Sequence, residues 1–534
     1  MRTPTRRLGA VVVTTTLSTA LALGGALAPA PAQAASNPAS QSAADWLGRQ
    51  LTNGLVHNDQ FGGFDDYGLT LDVFFALQQI GAGAGDRSAI LAAFAKDPGA
   101  YISAFGTESA GGTGKLATAV ELGQQNPRAF GGKNLVTRLE GMLSTRSGEV
   151  GRGVDTGSGE YSNTIGQAWI VRALAGAGSA KKTAATSFLL KQQCAAGFFR
   201  LTLEKATATS HFTCDAASSG NKAASIDATA LAVQALEVAK AHGVGGLDAD
   251  IAHAAGWLTR KQAANGSFVD QGTANSNSTG LVAATLASLG RTGAAGSAAG
   301  WVLGHQVTAA VARSSALTHE VGAVAYDAAA LTAGKKDGIT PELRDQWRRA
   351  TAQAAPALDA LLPDASLAAT GPSGYRRGGS VATFRTAGLA PGEHFTTHLG
   401  TVKTFHGVAG SRGIATATFL LPKATHTYTV TTTGSRPGRS GRTTVKALWA
   451  KRLSVSLSRT RLPKRAVERV TVRGLASHEP FRLTYRGTRI WHGTASATGV
   501  ATHSFHVGRS AGRKKLVSLG RFDNRRATSY LTVR

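Results

Sequence analysis

The sequence predicts a multidomain α plus β protein: an (α/α)6 toroid of helical hairpins followed by two tandem β-sandwiches. Two observations carry this. A unit of two helices recurs down the first two-thirds of the chain, as in Trp257, Leu258 and Gln262, then Asn265 to Phe268, then an Ala-rich stretch from Ser278 to Gly290. Repeats of this length each expose an apolar face that only a stacked neighbour covers, so they build closed or extended arrays. From Gly371 the pattern changes to alternating Thr and Val with Gly and Pro turns, the period of strands packed on one face.

Taken in order, Met1 to Ala34 holds Arg2, Arg6 and Arg7, an apolar run from Leu8, and the small-residue triplet Ala32, Gln33, Ala34. This reads as a signal peptide cut before Ala35. Leu8, Gly9 and Ala10 make a poor continuation of a twin-arginine signal, so the ordinary secretory route is expected. No later apolar stretch reaches the roughly 20 residues of a membrane helix.

Residues 35–365 hold the ring. Outer helices are expected near 39–51, 88–105, 133–144, 181–193, 249–261 and 294–306, with ordinary amphipathic spacing such as Trp301, Val302 and Gln306. Inner helices are expected near 66–80, 111–122, 161–177, 225–241, 278–289 and 319–333. They are small and apolar nearly all round, as from Thr229 to Leu236, which suits burial on most faces. Gly81, Gly178 and Gly290 follow the last core leucines where a left-handed cap suits glycine. Thr340, Pro341 and Glu342 start a thirteenth helix, running to about Leu362 and expected to cover the junction.

Residues 371–449 and 450–534 form the sandwiches. Gly388, Leu389 and Ala390 recur as Gly474, Leu475 and Ala476, Glu393 as Glu479, Phe395 as Phe481, and Phe419 as Phe505, every time 86 residues on. One module is therefore present twice.

The net charge of +27 sits almost wholly in these modules: from Gly371 there are 29 Lys and Arg against 4 Asp and Glu. A surface this positive attracts polyanions, screened by salt over about 8 Å at physiological ionic strength. Wall polymers, anionic headgroups and extracellular DNA are the expected classes, with Lys464, Arg465 and Arg513 to Lys515 as contact points. Cys194 and Cys214 are the only cysteines, and an even count in an exported chain predicts a disulfide.

The spacing of Gln193, Gly197 and Phe199, and of Gln262, Gly266 and Phe268, resembles the repeats of the terpenoid cyclase and protein prenyltransferase α/α-toroid superfamily. The likeness covers about Ala39 to Leu362. The tail modules resemble bacterial immunoglobulin-like repeats. Toroids of this kind gather the N-termini of the inner helices at one mouth, where free N–H groups and helix dipoles favour polar or anionic ligands. Candidate mouth residues are Asp66, Glu108, Glu160, Asn163, Ser225, Asp227, Asn275, Asn277, His319 and Glu320. Ser, Asn and Asp at helix starts also serve as plain N-caps.

Ser225 to Ala230 resembles the D-x-D-D-T-A segment of class II terpene cyclases, which makes Asp227 the counterpart of the proton donor. Ser225 and Ala228 replace the flanking acids that keep such a donor protonated. The prenyltransferase reading requires a zinc thiolate, with Asp215 beside Cys214, and the disulfide opposes it. Paired acids such as Glu108, Glu160 and Asp227 would suit a polysaccharide hydrolase or lyase. Secreted transcobalamin-like toroids share the compartment and the order of α ring then β domain. No cofactor or metal is identified. The expected function is thus an exported monomer held non-covalently at the cell wall, binding a small-molecule, lipid-like or glycan ligand without catalysis. Terpene cyclase-like or glycan-cleaving activity is the alternative.

Overall fold

The computed structural model describes residues 37–58, 63–157, 159–204, 212–435 and 438–534. The expected signal peptide, 1–34, lies outside the described residues. Outer helices are α1 (Pro38–Gly48), α3 (Ala84–Lys96), α5 (Leu135–Gly141), α7 (Lys182–Leu190), α9 (Asp248–Lys261) and α11 (Thr292–Gly304). Inner helices are α2 (Tyr67–Ile80), α4 (Ala110–Leu122), α6 (Thr164–Gly176), α8 (Ile226–Ala241), α10 (Ser276–Ser288) and α12 (Pro341–Ala354). Each inner helix packs on the next, and α12 packs on both α10 and α2, so the ring closes.

The sixth inner helix is therefore the expected thirteenth one. The expected helix at 319–333 does not form: Glu320 and Val321 sit in a loop, and a helix runs from Ala328 to Asp337 on the outside. A threonine marks four of the six inner helices. Thr70, Thr229 and Thr279 each accept a hydrogen bond from the preceding loop, from Val56, Phe199 and Phe268 N–H, all at 2.9 Å. Thr351 of α12 accepts the equivalent bond from Val324 N–H at 2.9 Å. The polar first turns of α12 disguise it, with Arg344, Arg348 and Arg349 reaching out to Glu320, His57 and Asp66.

Glutamine amides join successive hairpins. Gln262 Nε2 donates to Gly266 O at 3.0 Å and to Ala294 O, in the first turn of α11, at 2.9 Å. Gln193 does the same to Gly197 and Asp250, at 3.1 and 3.0 Å. Gln306 donates to Gly322 O and, across the seam, to Ala39 O of α1 at 2.8 Å. Gln167 makes the equivalent pair to Gly151 and Ala185 from an inner helix. The loop glycines press on the next outer helix. A Cβ on Gly266, at φ +91°, would lie 2.3 Å from Ser297 O.

The toroid loop closes with the predicted disulfide, Cys194 to Cys214. None of the described helices is long and apolar enough to cross a membrane.

The two modules are built alike. In the first, β1 (Ala368–Thr370), β3 (Val381–Ala387) and β6 (Ile414–Leu420) face a sheet of β2 (Tyr375–Arg377), β8 (Ser440–Leu448), β7 (His426–Thr433), β4 (His394–Leu399) and β5 (Lys403–Val408). In the second, β9 (Ser454–Leu457), β11 (Val467–Arg473) and β14 (Ala501–His506) face β10 (Arg461–Leu462), β16 (Arg526–Val533), β15 (Gly512–Leu519), β12 (Pro480–Tyr485) and β13 (Thr488–Thr494). In β3, Ala382, Phe384 and Thr386 are buried and alternate with exposed Val381, Thr383, Arg385 and Ala387, which suits a sheet with one wet face.

A buried ion pair fixes each module to what precedes it. Arg439 pairs with Glu393 at 2.9 Å and donates to Pro363 O behind the ring; Arg525 pairs with Glu479 and donates to Trp449 O. The first module also docks on the ring, where His394 N donates to Ser297 Oγ at 2.9 Å and its ring nitrogen meets Gln262 Oε1 at 3.1 Å.

Gly266→Ala is expected to destabilise the protein by more than Gly272→Ala in chemical unfolding. Both glycines have positive φ, which costs an alanine about 1–2 kcal/mol. Only Gly266 has a carbonyl in the way, since nothing lies within 4 Å of a Cβ on Gly272. Equal losses would contradict the packing role.

Candidate functional site

The inner helices enclose a channel. Its upper chamber, toward the helix N-termini, holds about 240 Å³ and is walled by Phe75, Ile165, Trp169, Leu231, Leu281 and Ala352. Below it a wider chamber of about 570 Å³ opens among the helix C-termini, bordered by Glu237, Ala241, Ser288 and Asp359. Gln79, Arg172, Gln234 and Pro356 line both and mark the waist.

Helical periodicity puts the polar residues there. Asp72 and Gln79 on α2, Ile165 and Arg172 on α6, and Asp227 and Gln234 on α8 are each seven residues apart, two turns along one face. Lys115 on α4 pairs with Asp72 at 2.6 Å and donates to Gly68 O at 3.0 Å. Burial works against the Lys115 charge, yet Asp72, with Tyr101 and Asp66, outweighs it, and the ammonium titrates above its ordinary range. Phe75 and Trp169 stack at 4.5 Å, and the Arg172 guanidinium lies 4.5 Å from the Trp169 ring centre. Burial lowers the Arg172 pKa to about 10, which still leaves it charged at neutral pH. Below it, burial pushes the Glu121 carboxyl up to about 8, with Arg128 and Arg172 opposing.

Of the expected mouth residues, only Asp227 lines the central channel. Burial pushes its carboxyl up to about 6, a hydrogen bond from Ser278 opposes that, and Oδ1 has no hydrogen-bond partner. Asp66, Asn163, Ser225 and Asn275 each cap their own helix, accepting from Leu69, Gly166, Ala228 and Ser278 N–H. Asp66 also pairs with Arg349. Asn163 borders a side hollow of about 340 Å³ between α4 and α6. Asn277 is half-buried on α10 with Oδ1 unpartnered.

Four expected mouth residues lie well away from the channel. Glu108 pairs with Arg138 at 2.7 Å, and exposed Glu160 hydrogen-bonds Ser162 and lies 3.7 Å from Arg152. Glu320 accepts from Trp46 Nε1 at 2.7 Å and from Arg344 at 2.8 Å on the outside of the ring, and His319 beside it is exposed. The placement of His319 and Glu320 follows from the misassigned sixth inner helix. Among the described residues no group of three His, Cys, Asp or Glu is placed to hold a metal.

Sequence reasoning passed over Arg172, Gln79, Gln234 and the Lys115–Asp72 pair. On α2 and α8 the signal was a polar side chain recurring after seven residues, Asp72 with Gln79 and Asp227 with Gln234.

No family model matches the chain, and no curated protein matches it. Among solved structures it is similar to the type II terpene cyclase MstE from Scytonema, in complex with merosterolic acid A, at 13% identity over 60% of this chain and 95% of that one, with a TM-score of 0.40. The fibronectin(III)-like modules of Clostridium thermocellum CbhA match 31% of this chain and 92% of theirs at 10% identity and a TM-score of 0.21. The Yersinia pseudotuberculosis adhesin InvE matches 32% of this chain at 15% identity and a TM-score of 0.19, and the chain spans 58% of its length. Likenesses at these TM-scores bear on neither activity nor ligand, and the fold rests on the helix ring and sheets described above.

Glu121 yields a pH prediction. Its carboxyl is ordinary near 4.5 when unfolded and titrates at about 8 in the fold, so the stability of the neutral form is complete below about pH 4.5 and is lost as pH rises toward 8. Glu121→Gln is expected to match the wild-type Tm near pH 5 and to exceed it increasingly up to about pH 8.5. A difference that does not change with pH would contradict this.

Proposed function

We propose that the chain is an exported, non-catalytic binding protein whose channel takes a ligand and whose basic modules hold it on a polyanionic surface. One observation carries the binding reading: a chamber inside the ring with an aromatic wall and a stacked, charged Arg172 where it adjoins the chamber below. Pockets of this make-up, mostly apolar with few convergent polar groups, are where small molecules bind. The upper chamber alone is smaller than the ~300 Å³ at which pockets for drug-sized ligands begin, which favours a small ligand over a long polyene.

The acids of the ring are committed elsewhere. Asp72 is neutralised by Lys115, Glu108 by Arg138, and Glu160 is engaged by Ser162. A glycan-cleaving pair would need two carboxyls about 5–10 Å apart on either side of one bond, and Asp227 stands in the channel apart from Glu108 and Glu160. The cyclase-like reading keeps one observation in its favour, the unpartnered Asp227 Oδ1 and the carboxyl pushed up to about 6.

The tail reading rests on the outer face of the larger sheet in the second module. Arg482, Arg489, Arg513 and Lys515 are exposed there, with Arg513 stacked 3.9 Å over Tyr530. Like charges gathered on one face repel one another, and a polyanion relieves that repulsion while releasing its own counterions.

Native mass spectrometry of the protein purified from its host is expected to show a bound small molecule lost on denaturation. An empty ring that converts a polyprenyl or glycan substrate, with the conversion abolished by Asp227→Asn, would overturn the reading. Moderate salt is expected to elute the protein from cells, and deletion of residues 371–534 to release it. Retention indifferent to both would sink the tethering role.

A further inference from the structure

Resting on the binding reading above, we propose that the ligand is a small amphiphile with one oxyanion, a carboxylate or phosphate, which pairs with Arg172 while its apolar body lies along Phe75, Trp169 and Leu231.

The argument starts from an imbalance of charge. Lys115, the other cation lining the channel, already has Asp72 and the Gly68 carbonyl. Arg172 has no ion pair among the described residues. Its Nε is buried without a hydrogen-bond partner, and its one hydrogen bond to a side chain, Nη1 to Gln234 Oε1, spans 3.5 Å. Stacking on Trp169 occupies one face of the guanidinium, while in its plane Nε is unpaired and Nη1 has only the long bond to Gln234. Neighbouring Glu121 makes no ion pair with Arg172, and burial pushes its carboxyl up to about 8, which disfavours the charged form. A half-buried cation without a counter-charge is unfavourable unless something else completes it, and a planar fork of N–H donors matches a carboxylate or phosphate edge to edge.

Direction follows from the surroundings. The lower chamber ends among helix C-termini, which carry partial negative charge, and is rimmed by Glu237 and Asp359, so it repels an anion. The upper chamber offers aromatic and aliphatic walls. Asp227, seven residues before Gln234 on α8, lies about 10 Å from the waist at 1.5 Å per residue, so it does not compete for the guanidinium. The body of the ligand therefore points upward from Arg172.

Titration calorimetry of the full chain at pH 7 with 4-phenylbutyrate, 4-phenylbutyl phosphate and neutral 4-phenylbutan-1-ol tests this. At least one anion is expected to bind tenfold or more tightly than the alcohol, and the order of the two anions identifies the headgroup. Arg172→Met is expected to lower the anions to the level of the alcohol and leave the alcohol unchanged. Gln234→Glu, which brings a competing carboxylate to the same guanidinium, is expected to have the same effect and serves if Arg172→Met does not fold. Equal binding of alcohol and anions by the wild type, or anion binding unchanged in both variants, would overturn the proposal and leave the channel a binding site. Failure of every probe, together with an empty channel in protein from the host, would overturn both.

Discussion

A glutamine amide that donates two hydrogen bonds is the interaction on which this ring depends. Each of Gln193, Gln262 and Gln306 closes its own turn through a glycine carbonyl and grips the first turn of the next outer helix. The second acceptor is a backbone carbonyl of the next hairpin, so the bond sets where that hairpin starts. Gln306 makes the same bond to Ala39, at the other end of the ring, and thereby turns a stack into a closed circle. A buried amide left without its acceptors costs about 1–3 kcal/mol, which makes the arrangement difficult to open one hairpin at a time.

Closure has consequences for the channel. Small residues such as Gly111 and Gly166, whose backbones nearly touch between α4 and α6, and Gly280 against Ala354 bring inner helices close and leave a narrow lumen. Every side chain aimed inward is then held on a rigid wall. The few polar ones become decisive because most of their neighbours are apolar. Lys115 and Asp72 satisfy each other, whereas Arg172 is supported on one side by a ring stack and left open on the other. The same ring gives the first sandwich a footing, through Ser297, Gln262 and His394, and the buried Arg439 and Arg525 repeat one linkage at both module boundaries.

Much of this was legible in the sequence. Alternation of amphipathic and wholly apolar helices, the Gln and Gly spacing and the 86-residue duplication all report packing, which is what repeats preserve, and the disulfide followed from the cysteine count. The sixth inner helix was misplaced because α12 opens with Pro341, Glu342, Arg344 and Asp345 and looks like a surface helix, while 319–333 carries the apolar run from Val321 to Ala325, which instead packs as a loop. The cap ring was recognisable because N-caps are local. The waist was not. Its residues lie on different helices whose inward faces are known only once the ring is closed, and a lone arginine on an apolar helix reads equally well as a solvated charge.

The central claim is that the ring is a binding channel organised around an uncompensated guanidinium. Crystals soaked with 4-(4-bromophenyl)butyrate, examined at the bromine absorption edge, test it directly. The account predicts one anomalous peak in the upper chamber beside Phe75 and Trp169, with carboxylate density on Arg172. Bromine found only on the outer surface or among the sandwich modules, with the channel unchanged, would contradict it.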